Sequence, residues 1–126
     1  MEENLKVMLV DDEEIVCKRL KTALEKYGYA VDVFQSGVPA IERLKEEQYD
    51  IVVTDIRMDD ADGLDVLAAA RKSSPRTKII MITGYATAEV AREAQVKGAF
   101  AFIAKPFRPK ELHALLEKAA RGLKKG

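Results

Sequence analysis

Five short apolar runs alternate along this chain with five segments of helical periodicity, and this alternation is the feature that most limits its fold. The apolar runs lie at residues 7–10, 31–34, 51–53, 79–82 and 100–103. Four of them are almost purely apolar, as expected for parallel strands that are covered on both faces. The second is interrupted by Asp32, which favours a strand at the edge of the sheet.

The segments between these runs carry apolar residues at helical spacing. Their predicted buried stripes are Val16, Leu20, Ala23, Leu24 and Tyr27 in the first helix, Val38, Ile41 and Leu44 in the second, Leu64, Leu67 and Ala68 in the third, and Leu112, Leu115, Leu116 and Ala119 in the fifth. The fourth helix is predicted over residues 87–97. Ser36 is a candidate cap of the second helix, and Gly28 and Gly98 are predicted stops of the first and fourth.

This pattern predicts an α/β fold of the (βα)₅ type, which is a doubly wound, open, parallel five-stranded sheet with helices on both faces. A chain of 126 residues has the usual size of one compact domain. We therefore expect a single domain over residues 1–126, with its core at about 5–121 and with 122–126 as a tail or the start of a linker.

Composition excludes several classes of function. Lys plus Arg and Asp plus Glu both number 21, so the formal net charge is +0 and the basic excess typical of nucleic-acid binding is absent. No apolar run approaches the ~20 residues of a membrane span, and the N-terminus lacks a basic secretory start. The single cysteine, Cys17, cannot form an internal disulfide, which fits a cytoplasmic protein.

Polar residues collect where the predicted strands end, which is where open parallel sheets bind ligands. The first strand leads into Asp11 and Asp12, the third into Asp55, the fourth into Thr83, and the fifth towards Lys105. Taken singly, each has an ordinary role: Asp12 could cap a helix, Asp55 and Thr83 could belong to turns, and Lys105 could be solvated. Their convergence on one edge instead indicates a functional site.

These residue types suit phosphoryl chemistry with a hard metal ion. Three crowded carboxylates repel one another, and without a cation one of them tends to take up a proton. Oxygen ligands without His or Cys favour Mg²⁺ over zinc, with Mn²⁺ as a substitute. A nucleophilic carboxylate, a cation, a lysine and a hydroxyl donor together can hold a phosphoryl group.

Four segments in this order resemble the receiver domains of two-component response regulators: Asp11-Asp12, the stretch from Val53 to Met58 around Asp55, Ile82-Thr83-Gly84, and Lys105-Pro106-Phe107. The resemblance extends from residue 6 to about residue 120. It implies a flavodoxin-like sheet with strand order 2-1-3-4-5 and a cis peptide bond between Lys105 and Pro106.

The resemblance also implies the role of each site residue. Asp55 would be the phosphoacceptor, and Lys105 would pair first with Asp55 and then with the phosphoryl oxygens. Asp12 would bind Mg²⁺ directly and Asp11 through water, with the backbone carbonyl of Arg57 as a further ligand. Thr83 would move to hydrogen-bond the phosphoryl group, and Phe102 would be the switching aromatic residue.

The implied partner is a sensor histidine kinase or a phosphotransfer protein, and the only catalysis expected is the domain's own phosphorylation and dephosphorylation. Phosphorylation would bias the face made by the fourth helix, the fifth strand and the fifth helix, near residues 86–107, towards binding a partner or a second copy. Arg57 and Tyr85 lie where bulky side chains would screen the phosphoryl group from water, which predicts slow self-dephosphorylation.

One position departs from the family pattern, because Asp59 follows Met58 where proline is usual, and this leaves the placement of the Arg57 carbonyl open. The acidic run that follows is not a calcium loop, since Ala69 stands where the loop needs Glu.

Three rival functions each lack a required residue or retain one that they should lack. A metal-dependent phosphohydrolase would need an Asp as acid and base two residues after its nucleophile, where this chain has Arg57. A nucleotide-binding domain would need a glycine-rich loop after the first strand, and a pseudo-receiver would lack Asp55 or Lys105. His113 is predicted to lie at the surface.

Overall fold

The computed structural model describes residues 4–58, 62–84 and 88–125, in which strands and helices alternate strictly. The strands are β1 (Lys6–Val10), β2 (Ala30–Phe34), β3 (Ile51–Asp55), β4 (Lys78–Thr83) and β5 (Ala101–Ala104). The helices are α1 (Glu14–Lys26), α2 (Gly37–Glu46), α3 (Gly63–Ser73), α4 (Ala88–Val96) and α5 (Pro109–Lys125). The predicted (βα)₅ pattern is confirmed.

All neighbouring strands pair in parallel, in the order β2-β1-β3-β4-β5. The predicted order is therefore confirmed, with β2 at one edge and β1 and β3 inside the sheet. Within the described residues, no helix combines the length and the apolar character that crossing a bilayer requires.

Alternation along the strands divides the core into two layers, one on each face of the sheet. One layer lies under α1 and α5 and contains Leu9, Val53 and Ile80 together with Leu24 and Leu116. The other layer, under α2, α3 and α4, is built from the intervening strand residues, such as Val52 and Met81, and from helix residues such as Ala40, Leu67 and Ala94. The sheet is thus covered on both faces, as the apolar runs predict.

Three members of the predicted helical stripes are exposed, because each lies at the margin of its helix's contact face. Val38 and the helix-ending Tyr27 are 50% and 49% exposed, and Ala68 is also exposed. In α3 the buried positions are instead Val66 and Ala70, together with the correctly predicted Leu67. The predicted period is right, but the predicted centre of the α3 stripe is wrong.

The helix ends follow the sequence signals in part. Gly28 and Gly98 have φ of 98° and 104°, the left-handed conformation that favours glycine after a helix. Ser36 does occupy the cap position of α2, but its side chain makes no capping hydrogen bond. The predicted start of the fourth helix, Thr87, lies outside the described residues.

Candidate functional site

Strand alternation brings Asp11, Asp55 and Lys105 onto one face of the sheet. Leu9 pairs with Val53, so the next residues of the same alternation are Asp11 and Asp55, at the carboxyl ends of β1 and β3. Lys105 continues the alternation of Ile103 just beyond β5. These three side chains therefore emerge over the α1–α5 face, where the sheet ends.

The ammonium group of Lys105 joins three carboxylates. Its Nζ lies 2.7 Å from Asp55 Oδ2, 2.8 Å from Glu13 Oε1 and 3.1 Å from Asp11 Oδ2. The first two contacts are hydrogen bonds, to acceptors 50 and 92 residues away in the chain. Lys105 thus links the start of α1, the end of β3 and the loop after β5.

Asp11 is fully buried, and only one of its carboxylate oxygens accepts a hydrogen bond. Oδ1 accepts from the backbone N–H of Glu13 at 2.9 Å. Oδ2 lies at ion-pair distance from Lys105 but outside hydrogen-bond geometry, and it has no hydrogen-bond partner among the residues that the structure describes. Burial raises the pKa of Asp11 above its usual value, despite the hydrogen bond from Glu13 and the charge of Lys105, and nearby Asp55 adds to the rise.

The surrounding carboxylates stabilise the charged form of Lys105. Partial burial by itself lowers the pKa of Lys105, but the hydrogen bonds to Asp55 and Glu13 and the charge of Asp11 outweigh it, so the pKa lies above its ordinary value. Lys105 consequently carries a fixed positive charge at any physiological pH.

Asp11, Asp12 and Asp55 can together hold a metal ion, because one carboxylate oxygen from each lies within 4.8 Å of the others. The set contains only oxygen donors, which suits a hard cation such as Mg²⁺ or Mn²⁺. Within the described residues, the buried Oδ2 of Asp11 accepts no hydrogen bond, although it lies near Lys105, and such an oxygen suits a ligand position for a cation. Asp12 is exposed and does not cap α1, whose cap position is Glu13.

Asp55 is nearly buried, and both its oxygens have partners. Oδ1 accepts from the backbone N–H of Arg57 at 3.2 Å, and Oδ2 accepts from Lys105. Arg57 itself is exposed. Asp55 is therefore held in a fixed orientation at the surface end of a completely buried strand.

Thr83 and Phe102 lie on the opposite face of the sheet, the one covered by α4. Phe102 pairs with Met81, and Thr83 follows Met81 in the same alternation, so both face the α2–α4 side. Thr83 is 1% exposed and Phe102 is half-buried. The carbonyl of Thr83 accepts a hydrogen bond from the backbone N–H of Lys105 at 2.8 Å, which ties the two strand ends together.

Several sequence expectations concern the loops around the site. The peptide bond between Lys105 and Pro106 is cis, as the resemblance implies. Asp59, the departure from the family pattern, lies outside the described residues, as does Tyr85. His113, predicted at the surface, is half-buried on α5 and stacks on Tyr27 with ring centroids 3.5 Å apart.

Two residues near the chemistry are not singled out by the sequence pattern. In the sequence, Glu13 is only one member of an acidic run, but in the structure it directly precedes the first residue of α1 and contacts Lys105. Gly63, the first residue of α3, packs against the backbone of Asp55 and Ile56. A glycine in the first turn of a helix, shortly after a strand that ends in a candidate site residue, is the signal that could have identified Gly63.

Comparison with known proteins gives a consistent assignment. The family model described as "Response regulator receiver domain" matches residues 7–117. Transcriptional regulatory protein ZraR of Escherichia coli (strain K12) is 34% identical over 117 residues, which make up 93% of this chain. The chain spans 26% of the length of that relative.

Solved structures agree with these sequence matches. A CheY-like response regulator receiver domain protein from Methanospirillum hungatei JF-1 has a TM-score of 0.90 at 30% identity, with 98% of this chain and 100% of that chain covered. A response regulator protein from Burkholderia pseudomallei, with a phosphorylated aspartic acid, a calcium ion and citrate, has a TM-score of 0.84 at 27% identity. That match covers 94% of this chain and 70% of the other.

Proposed function

Since this chain belongs to the response regulator receiver domain family of two-component systems, we propose that it is a cytoplasmic signalling domain that accepts a phosphoryl group on Asp55. The donor is a sensor histidine kinase or a phosphotransfer protein. The observation that carries the proposal is the pairing of nearly buried Asp55 with Lys105 at 2.7 Å, beside two further carboxylates.

Asp11, Asp12 and Asp55 would hold the metal, with the backbone carbonyl of Arg57 as a fourth protein ligand. Bound Mg²⁺ supplies positive charge that offsets both the carboxylates and the phosphoryl oxygens. The Burkholderia pseudomallei response regulator contains a phosphorylated aspartic acid and a calcium ion, and this combination supports the same pairing of groups in the present chain.

In the transfer step an oxygen of the Asp55 carboxylate attacks the phosphorus of a phosphohistidine. The new bond joins that oxygen to phosphorus, and the bond between phosphorus and the imidazole nitrogen breaks, with its electron pair left on the imidazole. The N–H of Arg57 and the ammonium of Lys105 orient the Asp55 carboxylate before the attack. Lys105 then pairs with the phosphoryl oxygens, which carry more negative charge than the carboxylate did.

Thr83 and Phe102 would transmit the change to the α4–β5–α5 face. The phosphoryl group offers strong acceptors that draw the Thr83 hydroxyl towards it, and Phe102 moves into the space on the same face of the sheet. Their shared placement under α4 supports this coupling. The α4–β5–α5 face would then bind a partner or a second copy of the chain.

The domain would catalyse only its own phosphorylation and dephosphorylation, and the second reaction would be slow because the bulky Arg57 screens the phosphoryl group. A test of the proposal is incubation with acetyl phosphate and Mg²⁺, followed by intact mass spectrometry. We expect one phosphoryl adduct, which is absent with a chelator and absent in Asp55→Asn. An adduct that persists in Asp55→Asn, or no adduct at all in the unaltered chain, would overturn the proposal.

A further inference from the structure

Glu13 contributes a negative charge to the open side of the site, and none of the roles proposed above requires it. Its Oε1 lies 2.8 Å from Lys105 Nζ, while its side chain remains 58% exposed, compared with 21% for Lys105 and 10% for Asp55. Glu13 therefore lies on the solvent side of Lys105, the residue that pairs with Asp55.

The side chain of Glu13 is not engaged in capping the helix that it precedes. It occupies the cap position of α1 but makes no capping hydrogen bond, and the neighbouring Asp11 accepts from the Glu13 backbone N–H instead. Its carboxylate is turned towards Lys105, across 92 residues of sequence. The contact thus belongs to the site rather than to the helix.

This placement has two consequences for phosphoryl transfer. Glu13 accepts a hydrogen bond from one of the three N–H groups of Lys105. That N–H group could otherwise donate to a phosphoryl oxygen. The charge of Glu13 also adds to those of the aspartates, so a donor with more negative charge is repelled more strongly as it approaches.

We propose that Glu13 is a positioning and specificity-determining residue, which holds Lys105 over Asp55 before transfer and selects against highly charged phosphodonors. The inference rests on the proposed function of Asp55. It predicts that a dianionic donor such as acetyl phosphate reacts more slowly than the reactivity of Asp55 would allow, while a monoanionic donor such as phosphoramidate is less affected.

The test compares phosphorylation rates for these two donors with Mg²⁺ present. In both reactions a bond forms between Asp55 oxygen and phosphorus; acetate leaves from acetyl phosphate, and ammonia leaves from phosphoramidate, whose nitrogen is already protonated. Glu13→Gln removes the charge but keeps an oxygen that can accept from Lys105. We expect it to raise the rate with acetyl phosphate by roughly two- to fivefold, the range for one partly exposed charge, and the rate with phosphoramidate by less.

The matched control is Glu14→Gln, which removes the same charge one residue further along. Glu14 is exposed and pairs with Lys18 at 3.4 Å, without contacting Lys105. We expect rates close to those of the unaltered chain for both donors. The rate advantage of Glu13→Gln should also shrink as salt is added, because screening weakens the repulsion that it removes.

The outcomes separate this inference from the proposed function. If neither donor phosphorylates Asp55 in the unaltered chain, the proposed function fails. If Asp55 is phosphorylated, the inference is overturned when Glu13→Gln matches the unaltered chain, slows the reaction, accelerates both donors equally, or behaves like Glu14→Gln. A second variant, Glu13→Ala, keeps the test decisive should Glu13→Gln fold poorly. It also lacks the acceptor for Lys105, so its rates should be lower than those of Glu13→Gln, but the ratio of the acetyl phosphate rate to the phosphoramidate rate should rise in the same way.

Discussion

Gly63 packs directly against the backbone of Asp55, so closely that a Cβ atom at position 63 would overlap the Asp55 carbonyl oxygen and lie 2.7 Å from the Cα of Ile56. The Gly63 N–H also donates to the Ile56 carbonyl at 2.7 Å. The first turn of α3 thus fixes the backbone that carries the proposed phosphoacceptor.

A first prediction follows from this contact. Gly63→Ala should lower the free energy of unfolding by about 1–3 kcal/mol, because the added methyl group meets backbone that cannot move aside cheaply. It should also slow phosphorylation of Asp55 by displacing that residue. Chemical denaturation and the acetyl phosphate assay measure the two effects. Gly84→Ala is the control, since a Cβ there meets no atom of the described residues within 4 Å. Equal stability of the two variants would contradict the prediction.

The acidic cluster predicts stabilisation by metal. Mg²⁺ should raise the free energy of unfolding by about 1.4 kcal/mol when its concentration is ten times its Kd, since it binds the folded state alone. Asp12→Asn should require a higher Mg²⁺ concentration for the same effect, because it removes one of the three converging carboxylates. Glu89→Gln, at an exposed carboxylate on α4, should leave the Mg²⁺ dependence unchanged. Unfolding curves that are the same with and without Mg²⁺ would contradict the proposed metal site.

Thr83 allows phosphorylation and switching to be separated. Thr83→Val keeps the buried shape but removes the hydroxyl, so Asp55 should still be phosphorylated while the response of α4 and β5 is lost. Hydrogen exchange over residues 88–104, with and without phosphorylation, measures that response. Thr83→Ser keeps the hydroxyl and should respond like the unaltered chain. A full response in Thr83→Val would show that the hydroxyl does not carry the signal.

Much of this arrangement could be predicted from sequence because it depends on local signals. Apolar runs mark the strands, and residues at the carboxyl ends of parallel strands meet at one edge of the sheet, so the grouping of Asp11, Asp55 and Lys105 is correct. The contact of Glu13 with Lys105 could not be predicted in the same way. It depends on the rotamer of a flexible side chain and on the path of the loop after β5, which no periodic pattern encodes.

The helix faces show a similar limit. Ala68 is assigned by its spacing to the α3 stripe, whereas Val66 and Ala70 are buried there. In a short segment containing Ala68, Ala69 and Ala70, small side chains give almost no hydrophobic contrast to mark the contact face. The contact of Gly63 could not be predicted for a related reason. A glycine in the sequence does not show that another backbone lies close to it until the path of that backbone is known.

Tyr49 provides a test far from the site. Its hydroxyl donates to Asp32 at 2.6 Å, and burial, reinforced by Asp32, raises the pKa of Tyr49 to about 12. An unfolded tyrosine ionises near pH 10. The resulting contribution to stability is therefore complete below about pH 10 and is lost as pH rises through about 12.

The free energy of unfolding of Tyr49→Phe should therefore fall less steeply with pH over this alkaline range. At neutral pH it should be about 1 kcal/mol lower than that of the unaltered chain, because the hydrogen bond to Asp32 is lost. Denaturation at a series of pH values checks the slope. Tyr27→Phe, at an exposed ring, should follow the unaltered chain. Parallel slopes for the unaltered chain and Tyr49→Phe would contradict the assignment of the alkaline loss to Tyr49.

Chemical identification of the modified residue is the sharpest test of phosphorylation on Asp55. After treatment with acetyl phosphate and Mg²⁺, borohydride reduces an acyl phosphate to an alcohol, so a phosphorylated aspartate becomes homoserine and can be located by peptide mass spectrometry. We expect homoserine at position 55 alone. Homoserine at position 11 or 12 with Asp55 intact, or a phosphoryl group on a residue other than aspartate, would show that Asp55 is not the phosphoacceptor.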